Sequence, residues 1–255
     1  MPLRTAFLDR IRAAVRDTVD DRLSWDALLA PTDDRAIFAA QAGRTREQRM
    51  VLLGRLMEQA APLNLQVHAC ATLAEAAECI AALARAGEPE FHDRKSLILH
   101  EHPLLRALPL DARPELAGIP CHWTSVDDPR GRDHTLAAFV GITVADWGIA
   151  ESATLVQLTR PGRPRSTSLV PSIHIALLPL PHLVADLAEA YALIRRAPGS
   201  DSLVLISGPS KTADIEACMV LGAHGPRAVH LIVLTGPSLA AGPGFPVART
   251  SRRGY

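Results

Sequence analysis

The 255-residue sequence lacks the cysteine spacing of a metal or cluster protein. Its four cysteines, Cys70, Cys79, Cys121 and Cys218, are scattered, and none belongs to a C-x-x-C pair. Zinc ribbons and iron–sulfur clusters need closely spaced thiolates, so we expect that no motif of this chain binds a metal or a cluster. Scattered thiols in a chain of this length are typical of reduced, mostly buried cysteines in the cytoplasm.

Long apolar runs and an excess of one charge are also missing. No run approaches the roughly 20 residues of a membrane-spanning helix, and the charged N-terminus lacks the apolar core of a signal peptide. Lys plus Arg equals Asp plus Glu, at 27 each, whereas nucleic-acid binding usually needs a basic excess. We therefore predict a soluble, cytoplasmic protein with no membrane span and no nucleic-acid partner.

Three common nucleotide and hydrolase motifs do not occur. The sequence contains neither G-x-G-x-x-G nor G-x-S-x-G, which argues against a dinucleotide site and a nucleophile elbow. The stretch ISGPSKTADIE, residues 206–216, has the composition of a phosphate loop. A Walker A loop, however, needs a glycine directly before its lysine, and here a serine precedes Lys211. This spacing excludes a triphosphate loop.

What the sequence does contain is an alternation of apolar strands and amphipathic helices. The predicted strands are LQVHAC (65–70), SLILH (96–100), TLVQLT (154–159), IHIALLPL (173–180), LVLIS (203–207) and VHLIVL (229–234), and the main predicted helices span 47–61, 72–87, 134–140, 182–197 and 212–221. Continuous apolar strands alternating with helices indicate an α/β fold with a mainly parallel sheet flanked by helices. TLVQLT and IHIALLPL follow each other without a helix, which predicts one antiparallel pair.

The predicted organisation has three parts. Residues 1–60 form an N-terminal helical segment, in which an amphipathic helix runs from Leu3 to Thr18. Its apolar stripe packs against the same chain or against a second copy, so a homo-oligomer is one expectation. Residues 61–236 form the main domain. Residues 237–255 are rich in Pro, Gly and Arg and are predicted to be a flexible tail.

Ligands of open α/β sheets gather at the carboxyl ends of strands, and ISGPSKTADIE is the first candidate there. A strand-to-helix junction offers backbone N–H groups to an anion, and Lys211, Ser210 and Thr212 add a charge and hydroxyls. In the alternative reading, Ser210 or Thr212 only caps the predicted helix, and Asp214 and Glu216 favour its first turn.

Two further segments carry candidate chemistry. GITVADWGIAESATLV (141–156) contains Asp146, Glu151 and Thr154, and a carboxylate such as Glu151 can act as a base; the alternative is a tight turn with capping acids. The Arg-rich loop RPGRPRSTSLVPSIHI (160–175) suits an anionic substrate or partner. Its arginines are equally compatible with a solvated loop, and its His174 with a hydrogen-bonded core histidine.

Two histidine patterns also stand near predicted strand ends. His100 and His102 flank a glutamate at a strand end, but no third ligand stands at a recognisable spacing, so a metal site is not predicted. His224, in GAHGPRAVH (222–230), is expected either to face the strand ends or to sit in a turn.

Taken in order, GITVADWGIAESATLV, SLVPSIHIALL and ISGPSKTADIEACMVLGAHGPRAVHLIVL closely resemble the LUD-domain (DUF162) family, and within it the lactate utilization protein C branch. The matching motif positions are Gly141, Thr143, Asp146, Ile149, Ala150, Glu151, Thr154, Pro171, His174, Ser207, Gly208, Pro209, Ser210, Thr212, Asp214, Glu216, Gly222, His224, Gly225 and Pro226. Lys211 stands where relatives often have arginine. The sequence departs from the family's A-E-T-G-T at Ala153, which replaces the usual glycine.

The resemblance implies a fold similar to that of ribose-5-phosphate isomerase, glucosamine-6-phosphate deaminase and CoA transferases. It also implies a role in a system that oxidises L-lactate to pyruvate, with the iron–sulfur clusters in partner proteins and none in this chain. From the residues themselves we expect a pocket at the strand ends in which Lys211 and the N–H groups of 208–212 hold a small anion, with Glu151 and His174 as candidates for proton transfer. The expected ligand-binding residues are Asp146, Thr154, residues 207–212, Asp214, Glu216, His224 and Gly225. The alternative is a stand-alone enzyme for a sugar phosphate or acyl-CoA, by analogy of fold alone.

Overall fold

The computed structural model describes residue 10 and residues 34–89, 94–197, 202–213 and 219–236. The helices are α1 (Asp34–Gly43), α2 (Arg46–Ala60), α3 (Leu73–Ala86), α4 (Pro103–Arg106), α5 (Gly131–Ala137), α6 (Ser166–Leu169) and α7 (Leu187–Arg196). The strands are β1 (Leu65–Cys70), β2 (Leu97–Leu99), β3 (Cys121–Trp123), β4 (Val140–Val144), β5 (Trp147–Ile149), β6 (Thr154–Leu158), β7 (Ile173–Pro179), β8 (Leu183–Val184), β9 (Leu203–Ile206), β10 (Lys211–Ala213), β11 (Met219–Leu221) and β12 (Ala228–Leu234). Apart from Arg10, the predicted helix over 3–18 lies outside the described residues, and so does the predicted tail over 237–255.

Six strands form one parallel sheet in the order β1-β12-β7-β4-β2-β3. Each neighbouring pair in this order runs parallel. All seven residues of the central strand β7 are buried, as expected of a strand whose sheet is covered on both faces. The prediction of an α/β fold with a mainly parallel sheet flanked by helices is therefore confirmed.

Helix α3 covers one face of this sheet. The Thr72 side chain accepts a hydrogen bond from Glu75 N, and the Glu75 carboxylate accepts one from Ala71 N at 2.8 Å, so the helix begins where its sequence predicted. One stripe of α3 is fully buried and consists of Ala76, Ala77, Ile80, Ala81 and Ala84. It packs in a single apolar cluster with side chains of β2, β4, β7 and β12.

A second sheet and helix α2 cover the other face. The second sheet has the order β8-β5-β6-β9, and its Leu155 and Ile206 share an apolar cluster with α2 and the parallel sheet. Helix α2 contributes Leu53, Leu56 and Ala60. It begins at a capping box in which Thr45 and Gln48 exchange hydrogen bonds. Within the described parts of the chain, none of the helices combines the length and apolar character that crossing a bilayer requires.

The predicted helix over 212–221 is wrong. Lys211–Ala213 and Met219–Leu221 are strands that pair antiparallel, with Thr212 opposite Val220. Glycines with positive φ stand before the first strand and after the second, at Gly208 (φ 91°) and Gly222 (φ 82°), and Gly222 N donates to Ser210 O at 2.9 Å. These glycines and the tertiary contacts of the loop outweigh the helix propensity of the local sequence.

Three other predictions need correction. TLVQLT and IHIALLPL do not pair with each other, because β6 pairs antiparallel with β5 and β9 while β7 joins the parallel sheet. The helix predicted from 182 begins only at Leu187, with Asp186 as its cap, since a 3-10 turn and β8 come first. The helix predicted over 134–140 is Gly131–Ala137, and Val140 already belongs to β4.

Gly141 in β4 and Gly54 in α2 form a matched pair for a test of packing. A Cβ added at Gly141 would lie only 1.9 Å from the backbone oxygen of Thr167, whereas one at Gly54 would meet nothing within 4 Å. Gly141→Ala should lower the free energy of unfolding by about 4 kcal/mol or prevent folding. Gly54→Ala should raise it by about 0.5–1 kcal/mol, since alanine favours a helix interior. Urea unfolding of both variants checks this; equal stabilities would contradict it.

Candidate functional site

Three hydroxyl groups join two of the motif segments. The Thr154 Oγ1 atom lies 2.7 Å from Ser207 Oγ and accepts a hydrogen bond from Ser152 Oγ at 2.8 Å. We call Ser152, Thr154 and Ser207 the hydroxyl cluster. Thr154 is buried, whereas Ser152 and Ser207 are exposed. The cluster therefore opens to solvent and can both donate and accept hydrogen bonds.

Glu151 lies in the turn between β5 and β6 and precedes Ser152 of the hydroxyl cluster in the sequence. Its side chain is 53% exposed and forms an ion pair with Arg55 of α2 at 3.2 Å, and its backbone N–H donates to Ala185 O. An exposed pair of this kind contributes little to stability. The carboxylate thus remains accessible to a ligand or a proton.

Ala153, in the same turn, adopts φ 46° and is fully buried. This is the left-handed region, where an L-residue costs about 1–2 kcal/mol relative to glycine. A glycine, which the family resemblance leads us to expect at this position, would adopt this conformation without strain, whereas the alanine adopts it at an energetic cost.

The loop 207–212 lies at the amino-terminal edge of the parallel sheet, which corrects the predicted placement at the carboxyl ends. A Cβ added at Gly208 would lie 2.5 Å from Leu63 O, and Lys211 Nζ donates to the same oxygen at 2.8 Å. Leu63 stands just before β1. Ser210 N donates to Pro226 O, which stands just before β12.

The anion site proposed from a helix start at this loop loses its basis. Thr212 belongs to the strand β10, so among the described residues the loop does not lead into a helix start, and the N–H of Ser210 already donates to Pro226 O. What the described residues offer a ligand is the exposed ammonium group of Lys211, which carries three donors and gives one of them to Leu63 O. Gly225 packs against Ser210, with 3.3 Å between its hypothetical Cβ and Ser210 Cβ, and Pro209 is buried. Asp214 and Glu216 lie outside the described residues.

Asp146 is separated from the rest of the predicted site. It stands at the open end of the β5–β6 hairpin, and Glu151 stands at the turn. Its Oδ2 accepts from Leu158 N at 2.7 Å, its Oδ1 binds the guanidinium of Arg160, and its carbonyl accepts from His182 Nδ1 at 2.8 Å. Through these contacts Asp146 connects β5, β6 and the chain after β7.

His174 is a core residue. Its side chain is fully buried, and its Nε2 shares a hydrogen bond with Thr143 Oγ1 at 2.8 Å. Burial lowers the pKa of His174 to about 3, so the imidazole is neutral at physiological pH. The structure therefore shows His174 as a hydrogen-bonded core histidine, which was the alternative to a catalytic role. His174 does not contact Glu151. The remaining predicted histidine, His224, is exposed in the turn before β12.

The histidines of the H-E-H segment are committed to the fold as well. His100 Nε2 lies 3.2 Å from Pro164 O, and His102 Nδ1 accepts from Leu104 N at 3.0 Å and caps α4. Across the described residues, no three His, Cys, Asp or Glu side chains are grouped as ligands of one metal ion. The described cysteines Cys70, Cys79 and Cys121 are free thiols.

Comparison with protein-family models gives a match to the LUD domain over residues 53–234, most of the chain. The chain belongs to the LUD-domain family. The match spans β1 to β12 and both segments of the hydroxyl cluster. The resemblance inferred from the sequence motifs is therefore confirmed.

Individual relatives match this LUD domain over a shorter stretch. Lactate utilization protein C of Exiguobacterium sp. is 39% identical over 95 residues, and that of Shouchella clausii is 40% identical over 94 residues. Each alignment covers 35% of this chain and 41% of the relative, so the chain spans about two fifths of the length of these curated relatives. A crystal structure of a DUF162 family protein from Deinococcus radiodurans also aligns with this chain. The alignment covers 73% of this chain and 98% of the Deinococcus chain, at 18% identity and a TM-score of 0.47.

The buried histidines of the LUD domain should make its stability depend on pH. Burial lowers the pKa values of His100 and His174 to about 3, whereas an unfolded histidine titrates near 6.5. Between these values the unfolded chain binds protons that the folded chain does not, so the free energy of unfolding falls as the pH falls, by about 1.4 kcal/mol per pH unit for each histidine. His174→Gln should reduce the dependence of the free energy of unfolding on pH by about the contribution of one histidine.

Urea unfolding at a series of pH values below 6 measures the slope for both proteins. A slope equal to that of the natural sequence would contradict the burial of a neutral imidazole at this position. Thr143→Val serves as a control, because it removes the hydrogen-bond partner without removing a titratable group.

Proposed function

We propose that the chain is a lactate utilization protein C-like component of an iron–sulfur-dependent system that oxidises L-lactate to pyruvate. Its LUD-domain membership and its similarity to two proteins named lactate utilization protein C support this role. Oxidation of L-lactate to pyruvate releases two electrons and two protons. We assign the electrons to clusters in partner proteins, and the handling of the anion and its protons to this chain.

The observation that carries the proposal is the contact between Thr154 and Ser207. It joins two of the three motif segments at 2.7 Å, which is the arrangement needed if both segments serve one ligand. In the proposal, the hydroxyl cluster donates hydrogen bonds to a small carboxylate or phosphate and Lys211 supplies the charge. Glu151 is the proton acceptor, since it is exposed and lies in the same motif. His174 takes no direct part, because its imidazole is buried and neutral.

The anion site is tested by changing Lys211. Lys211→Ala should weaken the binding of L-lactate, pyruvate or inorganic phosphate about tenfold or more, because one charge-assisted hydrogen bond is lost. Lys211→Arg keeps the charge and should retain most of the affinity. Isothermal titration calorimetry measures both, with far-UV circular dichroism as the check on folding. Equal affinities for the alanine variant and the natural sequence would refute this site.

The role of Glu151 requires the whole system. Glu151→Gln should lower the rate of lactate oxidation by about a hundredfold when the chain is combined with its iron–sulfur partners, as expected for loss of a general base. Glu58→Gln is the matched control, since Glu58 is also exposed but lies on α2. An unaltered rate for Glu151→Gln would contradict the assignment. Turnover of a sugar phosphate or an acyl-CoA by the isolated chain would instead favour the stand-alone enzyme.

A further inference from the structure

Arg55 of α2 is the ion-pair partner of the proposed proton acceptor. Its Nη2 lies 3.2 Å from Glu151 Oε1. The two side chains are 49% and 53% exposed, so an anion in solution can reach both of them. A guanidinium group carries its N–H donors in a planar fork that matches the two oxygens of a carboxylate. Arg55 therefore offers a ligand the type of contact that the ammonium group of Lys211 cannot make.

The backbones that carry the two side chains are fixed. Arg55 stands between Leu53 and Leu56, which are both buried beneath α2. Glu151 N donates a hydrogen bond to Ala185 O at 3.1 Å, which holds the β5–β6 turn in place. The two side chains can therefore exchange partners by rotation of their own bonds, without a movement of α2 or of the turn.

The ion pair stands at one end of the hydroxyl cluster, and Lys211 stands at the other. The cluster begins one residue after Glu151 and ends at Ser207, through hydrogen bonds of 2.8 Å and 2.7 Å. The next residue, Gly208, lies against the carbonyl oxygen of Leu63, to which Lys211 Nζ donates at 2.8 Å. The hydroxyl cluster thus has a cation on each side, and only one of the two cations is paired with a carboxylate that the proposed function requires.

A ligand carboxylate can replace Glu151 on Arg55 at little cost. An exposed ion pair contributes little to stability, because water screens the charges and two long side chains lose conformational entropy. Glu151 contacts Arg55 through one oxygen, Oε1, whereas a free carboxylate can bind the guanidinium fork with both oxygens and so gains a stronger contact. Once it is displaced, the Glu151 carboxylate is free to accept a hydrogen bond from the ligand.

We propose that Arg55 is the carboxylate-binding residue of this site, and that the ligand's carboxylate takes the place of Glu151 on its guanidinium group. The proposal rests on the proposed function, since it uses the same ligand and the same proton acceptor. It favours a 2-hydroxy acid, in which the hydroxyl is on the carbon next to the carboxylate. With the carboxylate on Arg55, that hydroxyl lies beside Glu151. Arg55 thereby couples the binding of the ligand to the release of the proton acceptor.

Calorimetric titration of the full chain with L-lactate tests the role of Arg55. Arg55→Gln should weaken binding about tenfold or more, as expected when a charge-assisted contact is lost. Arg55→Lys keeps the charge without the fork, and its affinity should lie between the two. Arg85→Gln is the matched control, since Arg85 is also exposed but stands on α3, on the other face of the parallel sheet. It should change the affinity less than about twofold. An unchanged affinity in Arg55→Gln would refute the proposal.

A double-mutant cycle with propionate, followed by NMR titration, tests the exchange itself. Propionate has the carboxylate but no hydroxyl, so Glu151 only competes with it for Arg55. Glu151→Gln should therefore raise the affinity for propionate by about threefold to tenfold. In the Arg55→Gln background the same substitution should change it less than about twofold, because the group they compete for has been removed. An equal gain in both backgrounds would indicate general repulsion between two carboxylates and would overturn the exchange.

The Lys211→Ala variant separates a failure of this proposal from a failure of the proposed function. If Lys211→Ala weakens L-lactate binding and Arg55→Gln does not, the anion site stands and the role of Arg55 is refuted. Weaker binding in both variants supports both proposals, and weaker binding in Arg55→Gln alone supports Arg55 against Lys211. If the natural sequence binds neither L-lactate nor propionate, both proposals fail. Urea unfolding checks the fold, and the midpoint of Arg55→Gln should stay close to that of the natural sequence.

Discussion

The parallel sheet has to be covered on both faces, and most of the structure follows from that requirement. Strand β7 is buried along its whole length, and a parallel sheet in that position cannot leave either face to water. Helix α3 covers one face with a stripe that is mainly alanine, which lets the helix lie close to the strands. Helix α2 and the second sheet cover the other. The close approach of the Thr167 carbonyl to Gly141 belongs to the same covering layer.

Elements whose signals are local in the chain could be predicted from the sequence. Thr72 and Glu75 mark the start of α3, and strand β1 has the bounds that its apolar run indicates. The β10–β11 hairpin could not be predicted in this way, because its pairing partners are separated by residues with helical propensity and its ends depend on contacts with Leu63 and Pro226. Tertiary contacts of this kind override propensity.

The candidate site was predictable in its residues but not in its geometry. The motifs identify Glu151, Thr154 and Ser207, yet nothing local in them indicates that Asp146 stands at the far end of the same hairpin or that His174 faces the core. The meeting of the Arg-rich loop with the H-E-H segment depends on the order β7-β4-β2. Strand order cannot be read from residue spacing, so the sequence alone does not show that these two segments are neighbours.

The position of β12 between β1 and β7 has a consequence for how the chain folds. The strand that is last in the described sequence fills the gap beside the first, so residues 65–70 pair with residues 229–234. Contacts between residues this far apart in the chain require a large loop to close, and the chain loses that entropy before the contacts stabilise it. This slows folding. During synthesis, β1 has no pairing partner until β12 has left the ribosome. Until then two strand edges in the middle of the future sheet stay exposed to other chains.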